Sequence, residues 1–202
     1  MAHKKQYDYI IIGNGLAGFQ LALALSQDVF FNDKQIALID KSHKTKNDKT
    51  ISFWEKGNGK WDSIVIKSWS KALIFSNKKE LTLNLPPYNY KTIHALDFYN
   101  KAKQELSKKT NFHFIIDQVI SVENSKQPKA TTVNSSYEAK HIFDSRIPED
   151  YFSELNKYTK VIQHFKGWII ETEMPVFNTD QFTMMDYRLK DGDQTSFTYV
   201  LP

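Results

Sequence analysis

Gly13-Asn14-Gly15-Leu16-Ala17-Gly18 is a run whose residue types and spacing suit the cradling of phosphate. In a G-x-G-x-x-G loop the first glycine makes a tight turn, the second lets backbone approach a pyrophosphate, and the third permits close helix packing. Free backbone N–H groups at a helix start, here those near Leu16 and Ala17, then hold the anion, and the helix dipole favours its charge. Asp40 stands 22 residues after Gly18, where a carboxylate accepts hydrogen bonds from a ribose hydroxyl, with Lys41 beside it in the same site. Such a loop is shared by NAD, NADP and FAD sites. A carboxylate at position 40 argues against a 2′-phosphate, which makes NADP the least suited of the three.

The flanking residues supply the elements such a loop needs. Residues 7–12, Tyr-Asp-Tyr-Ile-Ile-Ile, form an apolar, β-rich run that reads as a strand buried on both faces. A helix is expected from about Leu16 to Ser26, rich in Ala and Leu, and a second strand over 35–40 completes a β-α-β unit. Residues 41–49 form a polar, lysine-rich surface loop. Alternating patterns at 63–69, 71–75 and 80–85 predict strands of an inserted sheet. Residues 97–109 predict an amphipathic helix with Phe98, Ala102 and Leu106 on one face, and residues 112–116 a further parallel strand. Short β-like segments at 119–123, 130–133 and 141–144 suggest a meander returning to the main sheet. Strand-like runs follow at 161–165, 168–173 and 195–200.

Composition narrows the classes. With 41% hydrophobic and 25% charged residues the chain is of ordinary globular type. Without cysteine, disulfides, thiolate metal sites and cysteine nucleophiles are excluded, and a reducing cytoplasm is the natural setting. The net charge of +4 is spread over scattered lysines without arginine clusters, which argues against nucleic-acid binding. His94 and His164 lack the paired spacing of metal ligands, and no metal site is expected. No signal peptide and no apolar run of about 20 residues is visible.

The order of these elements resembles two-domain flavoproteins such as the aromatic hydroxylases, and several stretches resemble the lycopene cyclases, which close the ionone rings of carotenes. These are residues 48–55 (Asp-Lys-Thr-Ile-Ser-Phe-Trp-Glu), 87–90 with Phe98-Tyr99, and Ile142-Phe143-Asp144-Ser145-Arg146. More specific are Gln163-His164-Phe165-Lys166-Gly167-Trp168 with Ile170-Glu171, then Met185-Asp186-Tyr187-Arg188, then Phe197-Thr198-Tyr199-Val200-Leu201-Pro202. Ile51 departs from the family, whose members usually carry Trp there. The resemblance implies an α/β chain: a Rossmann-like FAD-binding domain with an inserted, mostly antiparallel β-sheet substrate domain, incomplete at the C-terminus. The FAD domain is expected at 1–60 and 95–146, and the partial substrate domain at 61–94 and 147–202.

That resemblance also implies FAD as cofactor, used reduced with NAD(P)H as the reductant, and lycopene as substrate. Cyclisation proceeds by protonation of a terminal double bond, trapping of a carbocation and loss of a proton, with no net redox change. The proton donor must be a carboxyl kept protonated by an apolar pocket. Asp186 and Glu55 are the candidates here, with Glu171 behind them, while the family's main catalytic acid is expected beyond Pro202. Phe53, Trp54, Trp168 and Tyr187 would suit a polyene tunnel. The substrate's insolubility implies peripheral contact with a membrane, at its cytoplasmic face. Two other readings stay open: another FAD-dependent oxidoreductase or monooxygenase of this fold, and a non-catalytic dinucleotide-binding module.

Overall fold

The computed structural model describes residues 5–148, 151, 159, 161 and 163–202. In chain order the elements are β1 (Lys5–Ile12), α1 (Leu16–Gln27), β2 (Ile36–Asp40), β3 (Thr50–Lys56), β4 (Val65–Trp69), β5 (Lys71–Phe75), β6 (Glu80–Asn84) and β7 (Tyr88–His94). There follow α2 (Ala95–Leu106), β8 (Phe112–Ile116), β9 (Val119–Glu123), β10 (Lys129–Thr132), β11 (Ser136–Asp144), β12 (Phe182–Asp186) and β13 (Thr198–Val200). They divide into two units, residues 1–48 with 96–161 and residues 49–95 with 162–202.

In the first unit β8, β2, β1 and β11 pair parallel, and β10 and β9 extend the sheet antiparallel from β11. All five residues of β2 are buried between its two neighbours, which is why its sequence is an unbroken apolar run ended by Asp40. Alternation sends Ile10, Ile12, Ala37 and Ile39 to one face, where Val119, Ala130, Tyr137 and Ala139 pack on them. The helices meet each other through aromatic rings: Phe19 of α1 lies 6.2 Å from Phe98 and 6.0 Å from Tyr99 of α2. Phe98, Ala102 and Leu106 are fully buried, the stripe that their i, i+4, i+8 spacing dictates.

The second unit holds two sheets, ordered β3-β7-β4 and β13-β12-β5-β6. Its pairings are antiparallel except for β12 beside β5, whose strands are joined by a connection of over a hundred residues. β3 runs in register with β7 from Thr50 opposite His94 to Lys56 opposite Tyr88. That ladder puts residues 50–56 in the second unit, whereas the sequence predicts a first domain that runs through residue 60.

Residues 168–173 form no strand, contrary to expectation, and Trp168 and Ile169 are 76% and 98% exposed. An apolar run becomes a strand only where a ladder partner exists, and none pairs with it among the described residues. Of the expected strand at 161–165, residue 162 lies outside the described residues and the remainder is irregular. Among the described residues no helix is long and apolar enough to cross a membrane.

Candidate functional site

After Ile12 the chain turns at Gly13, whose φ of 95° is a conformation that a Cβ makes costly. The Gly13 N–H donates to the Ile39 carbonyl at 2.8 Å, fixing the turn to β2. A Cβ on Gly18 would overlap the Gly13 carbonyl oxygen, and one on Gly13 would overlap Ser145 Oγ. Gly15 differs: a Cβ there would meet no atom within 4 Å, so open space adjoins the backbone at the start of α1. Gly15 caps α1 without a side-chain hydrogen bond, and Leu16 and Ala17 are exposed. The first N–H groups of this helix have no intrahelical acceptor and face a region that can hold an anion.

Ser145, just past β11, braces the turn from the other side. Its N–H and its Oγ both donate to the Ile12 carbonyl, at 3.1 and 2.8 Å. Sequence reasoning assigned Ser145 no such part, because the register that brings it to Ile12 is a property of the β1–β11 ladder.

Asp40 ends β2 beside the loop and is 9% exposed. Its Oδ2 accepts the Asn14 N–H at 2.8 Å and lies 3.2 Å from Lys44 Nζ, while its Oδ1 accepts the Ser42 N–H at 2.8 Å. Burial pushes this carboxyl up, but the two backbone donors and Lys44 outweigh it and hold the group below the ordinary carboxylate range. Asn14 is buried, and its Oδ1 has no hydrogen-bond partner among the described residues. Lys41 is exposed, and it is Lys44 that reaches Asp40.

The lysine-rich loop after β2 is tied down by α2. Lys103 Nζ donates to the carbonyls of His43 and Lys44, at 2.5 and 3.2 Å. The Tyr99 hydroxyl donates to Asp48 Oδ1 at 3.1 Å, and burial with this carboxylate pushes its pKa up to about 12.

Neither candidate acid has the surroundings expected of it. Glu55 Oε2 lies 2.8 Å from the ammonium of the buried Lys91, which also bonds Asp62 Oδ1 at 2.5 Å and the Gly57 carbonyl at 2.8 Å. Asp186 is gripped by Arg188, with Nε at 2.9 Å from Oδ1 and Nη2 at 2.6 Å from Oδ2. Arg188 holds the Asp186 carboxyl below its usual range, the opposite of what a proton donor to a hydrocarbon needs. Both carboxylates therefore read as ion-pair anchors of the second unit. Glu171 is exposed in the irregular segment.

The four expected tunnel aromatics do not assemble. Trp168 is exposed, Tyr187 packs 5.7 Å from Phe197, and Phe53 alternates with Trp54 to the opposite face of β3. A different cluster forms around Trp54. Tyr90 stacks on Phe182 at 4.7 Å and lies 4.7 Å from Trp54, and the Tyr199 hydroxyl donates to that of Tyr90 at 2.7 Å. An open depression of about 500 Å³ lies elsewhere in this unit, lined by Ser76, Lys78, Tyr187, Lys190 and Thr195 among others.

The family model described as "Lycopene cyclase protein" matches residues 8–202. No curated protein matches the chain. Among solved structures, p-nitrophenol 4-monooxygenase PnpA from Pseudomonas putida DLL-E4 superposes with a TM-score of 0.55 at 11% identity, over 69% of this chain and 41% of that one. Halogenase PltM, solved in complex with phloroglucinol and FAD, gives 0.50 at 13% identity, over 69% and 34%. PqsL of P. aeruginosa, in complex with 2-aminobenzoylacetate, gives 0.52 at 7% identity, over 68% and 42%. At such identities the likeness is one of fold, that of a mixed α/β chain with a Rossmann-like parallel sheet. The chain spans less than half the length of each of these structures.

Proposed function

The chain belongs to the lycopene cyclase protein family, and from that premise we propose that it takes part in the FAD-dependent, non-redox closure of lycopene ends into ionone rings. The observation that carries the cofactor part of this reading is the glycine loop. Gly13 and Gly18 leave no room for side chains, Gly15 adjoins open space at the start of α1, and the Asp40 carboxylate is bonded to the loop through the Asn14 N–H. This donor and acceptor set fits a pyrophosphate joined to an adenosine ribose. FAD is a molecule of that description, and a fold relative, PltM, was solved with it.

When bound and reduced by a nicotinamide nucleotide, the flavin supplies negative charge that stabilises a carbocation without net electron transfer. In this reading the N–H groups around Gly15 to Gly18 bind the phosphates, and Asp40 orients the ribose. Trp54, Tyr90, Phe182 and Tyr199 offer aromatic faces to an apolar, transiently cationic substrate end. Glu55 and Asp186 hold strands in place, and the proton comes from a different carboxyl. Lycopene partitions into bilayers, so the reading includes peripheral contact with the cytoplasmic face of a membrane, supported by the exposed Phe165, Trp168 and Ile169.

Two measurements test this. Purified chain mixed with FAD should quench flavin fluorescence and keep flavin through gel filtration, whereas a protein that stays colourless would remove the flavin reading. Expressed in a lycopene-accumulating host, the reading frame containing these residues should yield cyclised carotene. Unchanged lycopene together with NAD(P)H-dependent oxidation of another substrate would instead favour a flavin oxidoreductase, the second reading, which the monooxygenase fold likeness supports.

A further inference from the structure

From the geometry at the end of β2, we propose that Lys44 recognises the sugar of the bound nucleotide, giving its ammonium to a ribose hydroxyl while Asp40 receives one. The inference rests on the dinucleotide reading of the glycine loop and extends it to a residue that the loop motif does not contain.

Three observations carry it. The first is a count of lone pairs. A carboxylate oxygen offers two acceptor positions; Asp40 Oδ2 already serves the Asn14 N–H and Lys44 Nζ, and Oδ1 serves the Ser42 N–H. One acceptor position on Oδ1 is left, enough for a single ribose hydroxyl. The neighbouring hydroxyl of a cis-diol must find its partner elsewhere.

The second is position and capacity. The Lys44 ammonium and the Asn14 amide hold the same oxygen, at 3.2 and 2.8 Å, so the cation stands within about 6 Å of the phosphate-loop backbone. An ammonium has three N–H donors, one of which suffices for Asp40. The others can be presented to a ligand oxygen at the corner between Asp40 and the glycine loop.

The third is that the cation is held there. Lys103 of α2 donates to the Lys44 carbonyl and to that of His43, Asp48 is bonded by Tyr99, and the Lys44 ammonium lies 6.0 Å from the Tyr99 ring centroid. The Lys44 side chain is 19% exposed, so its head is neither free in solvent nor sealed off. Lys44 adopts a left-handed φ of 51°, and the α2 anchors on either side of it hold that conformation.

The test is nucleotide binding by the 202-residue chain and its variants Lys44→Met and Lys44→Arg, measured calorimetrically with ADP, 2′-deoxy-ADP and 3′-deoxy-ADP. Circular dichroism verifies the fold of each variant. Lys44→Met should lose about tenfold in affinity for ADP but less than about twofold for one of the deoxy analogues, because that analogue has already lost the hydroxyl concerned. Lys44→Arg, which keeps a donor and a charge, should restore most of the discrimination. Equal losses for all three nucleotides would show that Lys44 acts on the phosphates or only shapes the loop, and would overturn the proposal. Failure of the unaltered chain to bind ADP at all would instead refute the dinucleotide reading itself.

Discussion

Gly18 and Gly15 belong to one motif, yet the structure gives them opposite tolerances. A methyl group on Gly18 collides with backbone at the Gly13 carbonyl, which no rotamer can relieve. Gly18→Ala should therefore cost about 2 kcal/mol or more in urea denaturation, as overpacking does, and weaken nucleotide binding with it. Gly15→Ala meets open space and has an ordinary φ of −84°. It should lower stability by no more than about 1 kcal/mol, the cost of a poorer helix cap, while lowering FAD affinity about tenfold, since its methyl enters space assigned to the ligand. Flavin titration beside a melting curve separates the two effects, and normal FAD affinity in Gly15→Ala would show that the space is not the ligand's. Tyr99 supplies a pH signature. Its pKa is raised from 10.0 to about 12 by burial and by Asp48, so the folded state holds the proton more tightly than the unfolded. The stability this gives is fully present below pH 10 and is lost as pH rises through about 12. Tyr7 and Tyr199 are raised as well, so absorbance at 295 nm should show several late-titrating tyrosines, of which the one near 12 disappears in Tyr99→Phe.

Phe182 is the side chain on which the second unit's two sheets meet. It is 1% exposed, stacked on Tyr90 of β7 and packed against Trp69 and Ala72. Phe182→Ala should lower stability by about 3 to 5 kcal/mol, the usual cost of emptying such a site, measurable by denaturant titration. This strand was not legible in the sequence. Phe-Thr-Met-Met-Asp lacks β-branched alternation, and its pairing with β5 joins residues more than a hundred apart. β7 was hidden for another reason: Lys91 and Thr92 sit in its middle and look like solvent residues. Lys91 is buried only because Glu55 and Asp62 come to it from distant sequence positions. By contrast, β1, α1, β2, α2 and β8 announce themselves through local periodicity and the glycine punctuation between them. The phosphate loop was legible for that reason. Lys44 was not, because nothing local distinguishes it from Lys41, Lys46 or Lys49.

Across the whole molecule, several aspartates share one electrostatic habit. Lys140 lowers Asp8 and Arg188 lowers Asp186, while Asp40, Asp117 and Asp144 are pushed up by burial yet held lower still by hydrogen bonds. Each folded pKa lies below the ordinary 3.8, so the stability they confer is present above that value and lost as pH falls through the folded ones. Far-ultraviolet circular dichroism should show an intact fold down to about pH 4 and steep loss below it; an acid transition centred above pH 5 would assign control to other groups. The β1–β11 pairing has a different consequence, one of timing. On the ribosome β1 is made before β11, so one of its edges stays unmatched until residues 136–144 have emerged, and the Ser145 latch on Ile12 closes only then. The glycine loop is thus finished only by a strand made more than a hundred residues after it. Flavin uptake by a nascent chain should accordingly begin only after residue 145 has cleared the exit tunnel.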